Sequence, residues 1–327
     1  MKKMMKKVIT MGLMACLTLG VMGCSKKEDS RLQVGIIQMA DNGAFTDMRE
    51  GFIAQLREKG YSENELEITY KNAQGDATVL NTICQDFIDQ KMDLVACIAT
   101  PTAQAMVNME SDIPVIFISV SNPVGAGIIT DMAKPDKNAT GTSNAIPVSD
   151  IFALSDTLTP GCSTYGFIYN TSETNSVSTV TAAKKYLDSV GLSYQEVVVT
   201  NASEVQQAAQ SLVGSIDAFF ISNDTVLQGA MPVLTEIARD AKIPVYGSSA
   251  VMVESGAFAT IAISDTEIGA ISADMAVKCL KGTKIADIPA VVVPATATVV
   301  NKTTADALGI TFTDEVSSTL TFIEDSK

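Results

Sequence analysis

Histidine and tryptophan are both missing from the 327 residues. The first absence removes every histidine-based triad, every histidine-liganded metal site and the commonest general base, so enzymatic function is disfavoured. The second counts against a sugar pocket, which favours broad aromatic stacking platforms. Basic residues are few, 23 against 37 acidic ones, for a net charge of −14. No basic stripe with interleaved aromatics offsets that balance, which argues against nucleic acid as a partner; an acidic surface that keeps a secreted protein soluble is sufficient. Six cysteines are present but no Cys-x-x-Cys pair. The one long apolar stretch near the start, Val8 to Val21, falls short of the roughly 20 residues a membrane-crossing helix needs.

What that stretch does fit is export. Lys2, Lys3, Lys6 and Lys7 precede it and Met22-Gly23-Cys24 follows, the pattern of a secretory signal over residues 1–23. A Cys directly after a small residue resembles the bacterial lipobox, although Met22 stands where a smaller residue is usual. Cys24 is therefore the expected lipidation site, and residues 24–31 the polar tether of a protein anchored by lipid to the outer face of a cell membrane. Loss of the signal removes four of the 23 basic residues and no acids, leaving 19 against 37, or −18. It also removes Cys16. Of the remaining thiols, Cys84 and Cys97 fall on apolar positions of a helix and a strand, where a Cys most often serves as a small buried hydrophobe.

About 300 residues then remain, more than one hydrophobic core usually serves, so two domains are expected. Strands and helices alternate along them. Leu32–Gln38 reads as a buried parallel strand, Phe45 to Lys59 as a helix ended by Gly60, and Glu65–Lys71 as a second strand. Val79, Leu80, Ile83, Cys84, Phe87 and Ile88 recur at helical spacing over residues 76–90. Asp93–Ala99 is again a strand, Pro101 sits where helix starts tolerate proline, and Pro114–Val120 is a fourth strand. The order repeats from Thr164, with strands starting near 164, 194, 217 and 244 and helices near 176–190, 203–213 and 226–241. Two similar α/β units follow from this.

Polar residues gather after the strands, where ligands bind in open parallel sheets. Gln38 to Asn42, Thr100-Pro101 and Ser119 to Asn122 do so in the first unit. Asn170 to Ser176, Ser222 to Thr225 and Ser248-Ser249 do so in the second. Facing one another across a cleft, these rims would enclose a small polar molecule. Asn170 and Glu173 have the spacing of a capping box, and a helix start with spare donors also suits a carboxylate. Asp224 has two readings as well, a receiver for an ammonium group or a turn and cap residue. A carboxylate on one loop and an ammonium on another describe an amino acid zwitterion. The lone Gly125-Ala126-Gly127 lacks full phosphate-binding spacing, and Thr181-Ala182-Ala183-Lys184 matches a nucleophile-lysine motif only by accident.

The segments VGIIQ, IATPTAQAM, PVIFISVSNPVGAGI, NATGTSNAIPV, GFIYNTSETNS, DAFFISNDTV, IPVYGSSAVMVESGAFATIAI and IGAISADMAVKCLKG occur in that order. In this ordered series the chain resembles the bacterial ABC-transporter substrate-binding lipoproteins of the tryptophan and tyrosine importer group. The resemblance implies a type I periplasmic-binding-protein fold: two Rossmann-like lobes joined by three crossovers, a ligand held between them by hinge closure, no catalysis and no cofactor. It implies a permease and its ATPase subunit as partners, and an amino acid of the aromatic class as ligand. Sugar or nucleoside binding on the same fold, or a sensory role, stays open beside it. Crossovers are expected near Asn144, Ser249 and Ala295, giving lobe 1 as 32–144 plus 250–294 and lobe 2 as 145–249 plus 295–327. Ligand-lining positions carried over are Gln38, Asn42, Thr100, Ser119, Asn122, Glu173, Asn175, Ser176, Asp224 and Ser248. Two departures fall among them. Asn42-Gly43-Ala44-Phe45-Thr46 stands where the family often has His-Pro-Ala-Leu-Asp, and Thr225 where an Asn commonly follows the strand-end Asp. Phe45 or Tyr246 would offer a ring face if not packed in the core.

Overall fold

The structure is a computed structural model that describes residues 31–145 and 147–325. The signal segment and Cys24 lie outside the described residues. Two lobes are built on two sheets. The first lobe opens with β1 (Leu32–Gln38), α1 (Gly43–Glu58), β2 (Leu66–Asn72), α2 (Ala77–Asp89) and β3 (Leu94–Ile98). It continues with α3 (Thr100–Asn108), β4 (Val115–Ile118) and β5 (Ala139–Ser143). The second runs α4 (Val148–Leu158), β6 (Thr164–Asn170), α5 (Thr174–Val190), β7 (Ser193–Val199), α6 (Val205–Leu212) and β8 (Ala218–Phe220). Then come α7 (Thr225–Asp240), β9 (Val245–Tyr246), α8 (Ala250–Glu254) and β10 (Ala259–Ala262). Last are α9 (Asp265–Leu280), β11 (Val291–Val292), β12 (Ala297–Asn301), α10 (Lys302–Leu308), α11 (Asp314–Ser317) and β13 (Leu320–Ile323).

Strand order is β11-β5-β4-β3-β1-β2 in one sheet and β13-β12-β10-β9-β8-β6-β7 in the other. The apolar runs explain why both are parallel at their centres: β3 and β4 are buried along their whole length, which requires helices on both faces. In each sheet the chain reverses its direction of growth beside the first strand of the lobe, between β1 and β3 and between β6 and β8. The loops leaving such neighbours diverge and open a crevice at their carboxyl ends. β5, with its Ala-Thr-Gly-Thr-Ser sequence, carries no apolar periodicity yet is fully buried. Gly141 permits this, because a Cβ there would stand 1.8 Å from the Phe117 carbonyl oxygen.

The expected return to the first lobe at Ser249 is corrected. β10 pairs parallel with β9 and antiparallel with β12, so residues 250–262 stay with the second sheet. Thr260 donates to the Gly247 carbonyl at 2.7 Å and Asn301 to the Val253 carbonyl at 2.7 Å, holding α8 and β10 there. The chain crosses between β10 and α9, and α9 packs on α1 of the first lobe. That packing is close: a Cβ on Gly269 would lie 2.1 Å from the Met48 carbonyl oxygen, and one on Gly51 2.3 Å from that of Thr266. Two bare backbones thus bring the start of α9 against the first turns of α1. The other crossings lie between β5 and α4 and between β11 and β12.

Candidate functional site

Between the lobes lies a narrow, partly open cavity with about 30 Å³ of room for solvent. Six helix starts border it. From the first lobe come Ala44, Phe45 and Met48 of α1, Thr100 and Pro101 of α3, Ser119 and Ser121 after β4, and Asp265 of α9. The second lobe contributes Glu173 and Asn175 of α5, Asn223 to Thr225 and Gln228 around the start of α7, and Ser249 before α8. A larger groove of about 570 Å³ adjoins it, with Asn122, Tyr186 and Ser248 on its walls and Ser121, Asn144 and Asn223 shared.

The backbone at the rim of the first lobe is held in unusual shapes. Ala99 has φ 77° and ψ 162°, a region L-residues rarely enter, and Ser119 has φ 62°. Such strain costs on the order of 1–3 kcal/mol per residue and persists where packing enforces it. Its effect is to turn the chain sharply off β3 and β4 and aim the start of α3 into the cavity. Neither α3 nor α5 receives a side-chain cap. Their first-turn amides and partial positive charge are left for a partner from outside the helix.

Three buried side-chain oxygens among the described residues have no hydrogen-bond partner: Asn175 Oδ1, Asn223 Oδ1 and Ser249 Oγ. All three residues border this one cavity. Leaving such an atom unpaired costs about 1–3 kcal/mol, and all three of these costs fall on this one cavity.

The acidic groups differ in how far they are already engaged. Asp224 is fully used: Oδ1 accepts from the Val226 and Leu227 amides at 3.0 and 3.1 Å, and Oδ2 from the Asn170 amide at 2.7 Å and Ser176 Oγ at 2.6 Å. Four donors fill the lone pairs of a carboxylate. Of its two sequence readings the cap is the one the structure contains. Glu173 is held by Thr225, whose amide reaches Oε1 and Oε2 at 3.1 and 3.2 Å and whose hydroxyl donates at 3.3 Å. Burial and then the neighbouring Asp224 push the Glu173 carboxyl up to about 7. The capping box is not formed. Asn170 Oδ1 instead accepts from the Ser172 amide and hydroxyl, and Glu173 reaches across to the other loop. Thr225, one of the two departures from the family pattern, is what fixes Glu173.

Of the ten positions singled out in the sequence, Thr100, Ser119, Glu173, Asn175 and Asp224 border the cavity, while Asn122 and Ser248 border only the groove. The remaining three line neither and act behind the walls. Gln38 Nε2 donates to the Ala40 carbonyl at 2.7 Å, and its Oε1 accepts from Arg49 at 3.1 Å, which sets the β1–α1 loop. Asn42 caps α1 through the Phe45 amide at 2.8 Å. Ser176 is spent on Ser222 and Asp224. Phe45 borders the cavity, whereas Tyr246 is buried in the second lobe, its hydroxyl 2.7 Å from Thr159 Oγ1. The sequence placed Asn223 and Ser249 in its polar rims without singling them out as ligand positions, and gave no sign of Asp265. The first two sit beside Asp224 and Ser248, within the same strand-end rims. Asp265 follows a strand in the Ile263-Ser264-Asp265 turn and carried no signal beyond an ordinary helix start.

Comparison with known proteins agrees with this architecture. Residues 33–321 match the family model for ABC transporter substrate binding proteins. A tyrosine-binding protein of Clostridioides difficile is 35% identical over 287 residues, covering 87% of this chain and 83% of that protein. Among solved structures, a Streptococcus pneumoniae ABC domain in complex with L-Trp superposes with a TM-score of 0.86 at 30% identity, over 90% of this chain and 99% of its own. The ligand-free, open structure of a Clostridium difficile substrate-binding protein with adhesive properties gives 0.71 at 34% identity, over 90% and 100%.

Proposed function

This chain belongs to the ABC transporter substrate binding protein family, with the two-lobed type I periplasmic-binding-protein fold, and from that premise we propose that its interlobe cavity captures an aromatic amino acid. The observation that carries the reading is the convergence of three unpartnered buried oxygens on one narrow, half-apolar cavity between the lobes. Asn175 Oδ1 and the Glu173 carboxylate receive the ligand's ammonium group. The uncapped start of α3 receives its carboxylate, which fixed amides and a helix dipole suit. The ring rests on Phe45, Met48 and Pro101. Two relatives support the aromatic class: one is a tyrosine-binding protein and another holds L-Trp. The lobes here also superpose better on the L-Trp complex than on the open, ligand-free relative, although identity to the latter is higher.

Nothing is transformed in this reading. Ligand bridging both lobes favours the closed form through contacts that exist only there, and the closed shape is what a permease recognises. Substrate-binding proteins of ABC importers work on the extracytoplasmic side of the membrane. Among the described residues no helix is long and apolar enough to cross it. Attachment through a diacylated Cys24 is part of the proposal, and Cys24→Ser should release the protein from membranes.

The test is a thermal-shift and calorimetry panel of amino acids, sugars and nucleosides on the purified mature chain. At a hundredfold excess over Kd, a true ligand adds about 2.7 kcal/mol of stability. Aromatic amino acids should stabilise it; a response to sugars alone overturns the assignment.

A further inference from the structure

Among the described residues three carboxyls border the cavity and no lysine or arginine does. Asp224 accepts four hydrogen bonds and Glu173 is gripped by Thr225. Asp265 is different. Its carboxylate accepts no hydrogen bond among the described residues, because the cap of its own helix is supplied by Ser264 Oγ, which accepts from the Glu267 amide at 3.2 Å. It is partly buried, and the adjacent wall is Ala44, Phe45 and Met48 of α1. The close backbone contacts at Gly51 and Gly269 hold that wall in place. Burial first, then the negative charges of Asp47 and Glu254, push its carboxyl up to about 7. An acceptor placed in an apolar wall beside like charges is unfavourable unless a donor arrives from the cavity.

The position of that acceptor matters. α3 packs near α5, while α1 packs on α8 and α9. The zwitterion site proposed above uses the starts of α3 and α5, which leaves the α1–α9 wall with Asp265 for the far end of a bound side chain. We propose that Asp265 is a specificity-determining residue that accepts a hydrogen bond from a donor at the distal end of the ligand's ring, selecting tyrosine or tryptophan over phenylalanine. The proposal rests on the amino-acid reading and sharpens it. A phenol hydroxyl or indole N–H completes the pairing of Asp265, whereas a phenyl ring leaves the carboxylate buried and unpaired. Sites built to bond a hydroxyl reject the analogue lacking it far more strongly than apolar pockets sort by size.

Calorimetry with tyrosine, tryptophan and phenylalanine on the wild-type mature chain and on Asp265→Ala and Asp265→Asn tests this. The wild type should prefer tyrosine or tryptophan over phenylalanine by at least ~100-fold. Asp265→Ala should collapse that ratio to within about tenfold while phenylalanine binds as before or better. Equal loss of all three ligands, or an unchanged ratio, overturns the proposal and leaves the amino-acid reading standing. If the wild type binds no aromatic amino acid, the functional reading itself has failed. Asp265→Asn keeps the shape should the alanine variant not fold. In the wild type the ratio should rise between pH 6 and 8 as Asp265 ionises, with Asp47 and Glu254 the other acids acting on it and Glu173 and Asp224 the other acids bordering the cavity; in Asp265→Asn the rise should vanish. A rise of the same size in both proteins overturns the assignment to Asp265.

Discussion

Asn42 Nδ2 donates to Gln228 Oε1 at 2.9 Å, joining the first turn of α1 to α7 of the other lobe across 186 residues of chain. Asn122 Nδ2 to Ser178 Oγ at 3.1 Å and Gln104 Nε2 to Thr174 Oγ1 at 3.3 Å span the same gap. Each of these exists only when the lobes are together. Gln228→Ala is the cleaner probe, since Asn42 also caps α1. One such bond is worth about 0.5–1.5 kcal/mol, so Gln228→Ala should weaken ligand binding by about twofold to tenfold and enlarge the unliganded protein in small-angle scattering. Equal scattering profiles would show that the bond does not bias closure.

Asp224→Ala should destabilise the protein whether or not ligand is present. It removes the cap of α7, typically about 1 kcal/mol, and leaves the Asn170 amide and the Ser176 hydroxyl without their acceptor. A loss of at least about 2 kcal/mol in denaturant unfolding of the unliganded chain is expected. Unchanged stability together with lost binding would return Asp224 to the role of ammonium receiver.

Unliganded stability should rise as pH falls from 8 to 5. The sign follows from Glu173 and Asp265, both pushed up to about 7, mainly by burial. A carboxyl with a raised folded value contributes stability that is complete below its unfolded value and is lost as pH rises through 7. Either group alone supplies on the order of 3 kcal/mol, equivalent to several degrees in Tm. Acids held low, such as Asp217 by the Ser163 amide and hydroxyl and the Thr164 amide, titrate below this window. Glu173→Gln should flatten the Tm profile. Affinity for an ammonium-bearing ligand should show the opposite trend, weakening as Glu173 takes up its proton.

Gly269→Ala and Gly229→Ala should move stability in opposite directions. A methyl at Gly269 meets backbone atoms of α1 at 2.1 and 2.8 Å, neither of which a rotamer change relieves, and the expected cost is about 1–3 kcal/mol. Ligand affinity should fall with it, because α1 and α9 carry the Phe45–Asp265 wall. Gly229 lies inside α7 with open space around its Cβ position, so alanine there should add up to about 1 kcal/mol. Paired thermal melts check both.

Much of the architecture was written in local pattern. Runs such as Leu94–Ile98 and Val115–Ile118 are apolar throughout because they are buried on both faces, and the stripe of Leu80, Ile83, Cys84 and Phe87 marks a helix packed on a sheet. Those signals depend only on neighbours within a few residues, and so do the polar rims that follow each strand. Thr100, Glu173 and Asn175 at the cavity were found in that way. Where local pattern was weak, as in β5 with its small polar residues or in the crossing after β10, only strand pairing reveals the assignment.

Chain order and residue type alone therefore determined that two α/β units exist and at which strand ends their polar groups gather, because secondary structure and burial leave a periodic trace. Which of those groups are already satisfied was decided by tertiary structure. Asp224 looks free in the sequence, yet it is saturated by Asn170 and Ser176 from about 50 residues away. Asp265 looks like any helix start, yet it faces the cavity because two glycines let α9 lie against α1. Hydrogen-bond satisfaction and desolvation depend on partners brought together from distant parts of the chain, and only the assembled lobes supply them.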